Sequence, residues 1–145
     1  MLFLCTGNSA RSQIAEGLLK KLSRGRADVF SAGTNPEREV HPLAGDVLRT
    51  RFYVDTDDLY PKHLSQFQGQ RFDYVITVCD RTAEACPTFP GDPERIHWSF
   101  EDPAAVQDEE ARRRAFESVA NGLAARMRIW MALPAVHRRL DAAEK

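Results

Sequence analysis

Short apolar runs and amphipathic stretches alternate along the chain. Met1–Leu4 is an apolar run that reads as a first strand, and Ser12–Leu22 carries Ile14, Leu18, Leu19 and Leu22 at helical spacing, ending near Gly25. The first strand is shorter than the usual length of about five or six residues, which leads us to expect a few more residues before it in the native chain. "ADVFSAG" predicts a second strand closed by Gly33, and Pro42–Arg49 a helix with proline in its first turn. Leu64–Phe67 adds a helical turn. "FDYVITVC" is a continuous apolar run, the pattern of a strand buried on both faces. "ERIHWSF" predicts a fourth strand. A long helix follows over Glu109–Met131, with its apolar stripe at Phe116, Val119, Leu123, Met127 and Trp130, and Pro134 ends it. Strands separated by helices predict an α/β fold: one domain over residues 1–145, a four-stranded parallel sheet with helices on both faces. Ligands of such sheets bind beyond the carboxyl ends of the strands, where Cys5, Cys79 and the loop after the fourth strand gather.

Composition changes this picture little, but it excludes partners. The 145 residues are 43% hydrophobic and 28% charged, with a net charge of −1, so neither nucleic acid nor an anionic membrane is an expected partner. The run Arg112–Arg114 reads as a solvated helix face. No apolar run approaches the roughly 20 residues of a membrane span and no signal peptide precedes Cys5, so a cytoplasmic protein is expected. Three cysteines make an odd count that argues against a static disulfide framework. Cys79, inside an apolar run, suits a small buried hydrophobe. Cys5 and Cys86 suit that reading less, because their neighbours are polar, small or proline. Cys79-x6-Cys86 is not the tight spacing of a zinc knuckle, and His97 is a poor fourth ligand.

The stretch "CTGNSARS", Cys5 to Ser12, holds the most chemistry. Gly7 and its small neighbours let the backbone curl so that successive N–H groups point inward as an anion-binding nest. The helix beginning near Ser12 turns its positive end to the same spot. Arg11 adds a planar fork that suits two oxygens of a tetrahedral oxyanion. A thiol in that field is expected to ionise well below about 8.5 and to act as a thiolate nucleophile near neutral pH. The plainer alternative is a strand-to-helix turn with an incidental cysteine.

Cys5-x5-Arg11-Ser12 resembles the low-molecular-weight protein tyrosine phosphatase fold, and the fuller string "CTGNSARSQIAEG" resembles the thioredoxin-coupled arsenate reductases built on it. The likeness continues through "SAGT" at Ser31–Thr34, "VITVCDRTAEACP" at Val75–Pro87 and "HWSFEDPA" at His97–Ala104, so it covers nearly the whole chain in order. The resemblance implies that Cys5 is the nucleophile. Thr6, Gly7, Asn8, Ser9, Ala10 and Arg11 would bind the oxyanion, arsenate or its analogues phosphate and sulfate. Ser12 would stabilise the Cys5 thiolate, and Asp102, beside Pro103, would be the general acid; the bland alternative for Asp102 is a turn residue before proline. Cys79 and Cys86 would be the redox pair, with Cys79 attacking Cys5, Cys86 resolving the disulfide and thioredoxin re-reducing it. No tightly bound cofactor is implied, and a monomer is expected.

Three departures from the family pattern matter. Ala10 stands where some relatives carry a further cysteine, so the anion loop cannot form its own disulfide with Cys5. Ala104 and Ala105 replace the aromatic residues with which phosphatases of this fold hold a phosphotyrosine ring. Some relatives bind potassium through positions matching Asn8, Glu16, Ser31 and a later aspartate. Lys62 aligns with that aspartate, with Asp57 and Asp58 close by, which leaves potassium or the Lys62 ammonium as alternatives. Besides arsenate reduction, two readings stay open: a phosphomonoesterase using Cys5, Arg11 and Asp102, and a non-catalytic oxyanion-binding or redox-sensing module.

Overall fold

The structure is a computed structural model that describes residues 1–78 and 93–144. Four parallel strands form one sheet: β1 (Leu2–Cys5), β2 (Phe30–Gly33), β3 (Tyr74–Thr77) and β4 (Glu94–His97), in the order β2-β1-β3-β4. β1 lies in the middle, pairing Leu2 with Phe30 and Cys5 with Gly33 on one side, and Leu2 with Val75 on the other. That central place explains the apolar run at the start of the chain, since all four residues of β1 and all four of β3 are buried.

Alternation along the strands divides the core in two. Phe3, Tyr74 and Ile76 face the larger cluster, which takes in side chains of α1 (Arg11–Leu22), α2 (Pro42–Phe52), α3 (Glu109–Met131) and α4 (Pro134–Glu144). Leu2, Leu4 and Val75 face a smaller cluster with Leu64 and Phe67, from the one-turn 3-10 helix Leu64–Phe67, and Phe72. An aromatic chain ties α3 to the sheet: Trp130 meets Tyr74 at 5.0 Å and Trp98 at 5.6 Å, both edge-on, and Trp98 meets Phe3 at 6.1 Å.

The expected α3 spans the range read from its apolar stripe, and Asp108 caps it by accepting from Ala111 N at 2.9 Å. Pro134 does more than end that helix. It is the first residue of α4, where its missing N–H costs nothing, and Val136 and Leu140 of α4 are buried in the larger cluster. α2 runs three residues beyond the expected Arg49, to Phe52, and stops where Tyr53 takes a left-handed conformation (φ 56°). Among the described residues no helix is long and apolar enough to cross a membrane.

Candidate active site

The site lies beyond the carboxyl end of β1. Cys5 closes that strand and is buried, and residues 6–10 curl from it into α1. The curl requires glycine next door. A Cβ at Gly33 would lie 2.4 Å from the Thr6 carbonyl oxygen, so any side chain there would displace the start of the loop. Asn8 takes a left-handed conformation (φ 48°). Ala10, the N-cap of α1, offers no capping oxygen, and no side chain bonds the first N–H groups of the helix.

A strap formed by residues 35–41 holds the loop from outside. Asn35 N donates to Thr6 O (2.9 Å), Glu37 N to Gly7 O (2.8 Å) and His41 N to Ser9 O (2.9 Å), while Ser9 Oγ donates to Glu39 O (3.1 Å). In a planar trans peptide the C=O and the following N–H point in opposite directions. Turning the carbonyls of Thr6, Gly7 and Ser9 towards the strap therefore turns the N–H groups of Gly7, Asn8 and Ala10 the other way. Gln13 Nε2 does the same for Ser9 N–H by donating to Asn8 O (2.9 Å). The nest expected from the small residues is thus enforced by its outer hydrogen bonds.

Beneath the loop is a fully buried polar network. Asn8 Nδ2 donates to Ser12 Oγ (2.8 Å) and Ser31 Oγ (2.9 Å), and Asn8 Oδ1 accepts from Lys62 N (2.8 Å) and Gln13 Nε2 (3.1 Å). Since Ser12 Oγ accepts from Asn8, its own proton is left to give elsewhere, and Cys5 Sγ is the acceptor that chemistry favours. Ser31 Oγ donates to Glu16 Oε1 (2.8 Å), and Lys62 Nζ lies 3.4 Å from the same oxygen. Lys20 Nζ holds Glu16 Oε2 at 2.9 Å. Burial lowers the Lys62 pKa from its ordinary value, and the Glu16 carboxylate opposes that shift. Asn8, Glu16 and Ser31 do come together as the potassium alternative required, but the donor set does not fit a second cation. Both oxygens of Glu16 already face an ammonium, and Lys62 supplies the positive charge itself.

Arg11 presents one edge to the site. Its Nη1 donates to Phe100 O (2.8 Å), which fixes the plane of the guanidinium, while Nε is buried without a partner and Nη2 stands 4.0 Å from Asp102 Oδ2. The Nε–Nη2 edge is the fork that takes two oxygens of a tetrahedral anion. Asp102 caps the one-turn helix Pro103–Ala105 through Oδ1, which accepts from Ala104 N at 3.0 Å. Its other oxygen remains turned to Arg11.

A cavity of about 500 Å³ joins these groups, with Cys5, Arg11, Asp102, Glu37, His41 and Ala104 among its walls. His41 was not anticipated as part of it. Its Nδ1 accepts from Leu43 N (3.1 Å) to cap α2, and its ring packs on Phe116 at 4.6 Å, so the proton of the neutral ring sits on Nε2. Burial and then Arg112 hold its pKa below the ordinary value, with Asp102 pulling the other way. The histidine before a proline that opens an apolar stretch was the available signal. Gln13, the strap and Phe100 were also missed; the strap acts through backbone atoms, which leave no mark on residue type. Cys79 and Cys86 lie outside the described residues.

A thiol at the end of a central strand, under a backbone nest with an arginine fork and a carboxylate across the cavity, defines an oxyanion-handling site of the phosphatase class. The chain belongs to the low molecular weight phosphotyrosine protein phosphatase family, which matches residues 1–142. It is similar to the arsenate reductase of Halalkalibacterium halodurans, 41% identical over 110 residues that cover 74% of this chain and 78% of that protein. The arsenate reductase of Oceanobacillus iheyensis is 36% identical over 131 residues, covering 88% of this chain and 91% of that one. Among solved structures, an arsenate reductase from Archaeoglobus fulgidus matches with a TM-score of 0.66 at 27% identity, over 86% of this chain and 95% of that one. A thioredoxin-dependent arsenate reductase of Corynebacterium glutamicum matches with a TM-score of 0.64 at 30% identity. That match covers 88% of this chain, which spans only 59% of the Corynebacterium one.

Proposed function

We propose that this protein reduces arsenate to arsenite by a cysteine relay that thioredoxin recharges. The observation that carries the proposal is Cys5 buried under a nest of inward amides, facing the unpartnered edge of Arg11. In this reading arsenate binds with its oxygens on the loop amides and on Arg11 Nε and Nη2. The Cys5 thiolate attacks arsenic, and one oxygen leaves as water, with Asp102 donating the proton. Cys79 then attacks Cys5 Sγ. The sulfur–arsenic bond breaks with its electron pair kept on arsenic, which departs as arsenite, and a Cys5–Cys79 disulfide is left. Cys86 attacks Cys79, frees Cys5, and the Cys79–Cys86 disulfide is reduced by thioredoxin. The balance is two thiols oxidised to one disulfide for each arsenic(V) reduced to arsenic(III). The similar proteins named arsenate reductase support this reading, as do the two cysteines beyond Cys5 and the alanine at 104.

The test is a coupled assay with arsenate, thioredoxin, thioredoxin reductase and NADPH, read as nicotinamide oxidation, beside an aryl phosphate read as phenol release. Cys5→Ser is expected to make no arsenite, and Cys79→Ser to stop at the covalent adduct. Cys86→Ser is expected to complete about one turnover and accumulate the Cys5–Cys79 disulfide, since nothing frees Cys5. Sustained thioredoxin-coupled turnover in Cys86→Ser would break the relay. Efficient phenol release with no arsenite would return the protein to phosphatase chemistry.

A further inference from the structure

The loop amides and Arg11 attract any tetrahedral oxyanion of the right size. They do not tell a protonated one from an unprotonated one, since all of them only donate. The group that can do so is a carboxylate, which accepts a hydrogen bond from an acidic O–H and repels a bare oxygen. Three carboxylates line the cavity: Glu37, Glu39 and Asp102. Glu37 is the one packed on the loop itself. Its N–H bonds Gly7 O at 2.8 Å, and a methyl group built on Gly7 would lie 3.3 Å from Glu37 Cγ and 3.8 Å from Oε1. Asp102 has Oδ1 engaged by Ala104 N and Oδ2 turned to Arg11, and the fixed point of Glu39 is its carbonyl, bonded by Ser9 Oγ.

We infer that Glu37 is a specificity-determining residue that makes the loop prefer oxyanions still carrying a proton, the arsenate and phosphate class, over fully deprotonated ones such as sulfate. The remaining charged groups around the cavity do not provide this discrimination. Arg11 and Arg38 favour either dianion, and His41, held neutral by burial and by its capping bond to Leu43 N, donates rather than accepts through Nε2. The inference rests on the oxyanion-binding part of the proposed function and not on the redox relay.

The test uses calorimetric titration of the reduced protein with inorganic phosphate and with sodium sulfate at mildly alkaline pH, where both anions are dianions and differ in the proton. Wild type is expected to favour phosphate. Glu37→Gln keeps the shape and removes the charge, and it is expected to raise sulfate affinity relative to phosphate by about fivefold, or about 1 kcal/mol. Glu39→Gln is expected to leave the ratio unchanged. Equal binding of the two anions by wild type would overturn the inference, as would an unchanged ratio in Glu37→Gln. An equal shift in Glu39→Gln, or a shift appearing only in Asp102→Asn, would assign the discrimination elsewhere and also overturn it. Binding of neither anion would sink the oxyanion reading itself, a result distinct from binding without discrimination.

Discussion

Replacing Lys62 by methionine probes whether the anion loop depends on an internal cation. The side chain is 6% exposed and Glu16 is 3% exposed, so the pair is shielded from solvent. Removing one partner of a fully buried pair costs about 3–5 kcal/mol, because the other charge is left uncompensated. Here the cost is smaller. Glu16 keeps Lys20 at 2.9 Å and Ser31 at 2.8 Å, and methionine relieves the desolvation of the Lys62 ammonium. We expect a loss of about 2 kcal/mol, which for a chain of this size lowers Tm by about 4–8 °C. Adding Glu16→Gln to Lys62→Met is expected to recover at least half of it, since no buried charge then remains. The pH dependence has a definite sign. Burial lowers the folded-state pKa of Lys62 below the unfolded value, so the unfolded state binds the proton more tightly. The margin of wild type over Lys62→Met therefore widens as pH rises through the folded value towards about 10.4. Thermal denaturation followed by circular dichroism measures all three proteins. A Lys62→Met protein as stable as wild type, or a double variant no better than the single one, would refute the reasoning.

Other perturbations have equally defined outcomes. Wild-type Tm is expected to be the same in potassium and lithium chloride at equal ionic strength, because Lys62 already faces Glu16; a potassium-specific rise would show that an ion binds there after all. Gly33→Ala forces a carbon to 2.4 Å from Thr6 O and is expected to cost about 1–3 kcal/mol in urea denaturation, together with loss of phosphate binding. Asp102→Asn keeps an oxygen for Ala104 N but cannot protonate the departing oxygen. Its turnover is expected to fall about 100-fold or more in the thioredoxin-coupled assay, with phosphate affinity nearly unchanged. His41 titrates with its folded pKa below the unfolded value of about 6.5, so the stability it contributes is present above that value and is lost as pH falls through the folded one. His41→Asn, which can still cap α2, is expected to flatten the acid limb of the Tm–pH profile, and an unchanged limb would remove His41 from it.

What the sequence disclosed depended on where the chemistry resides. The β1 run, the α3 stripe and the Cys5-x5-Arg11 spacing are written in residue type, and the structure carries all three. α4 escaped because a proline after a long helix reads as a stop, whereas Pro134 is also a good first residue of the next helix. The strap escaped because its bonds to Thr6, Gly7 and Ser9 are made by backbone N–H groups that any non-proline residue possesses. Lys62 aligned with the potassium-site position, but only tertiary structure shows its backbone N–H supporting Asn8 while its side chain reaches Glu16.

The distance between α3 and the loop ahead of it reaches the site through a missing carbon. A Cβ on Gly122 would lie 2.9 Å from Phe100 Cε1, and the carbonyl of that same Phe100 holds Arg11 Nη1. A methyl group on the buried side of a helix would thus be transmitted through one ring and one carbonyl to the angle of a guanidinium. Position 122 is a gauge for the anion fork, set at the far end of the chain from the cysteine it serves.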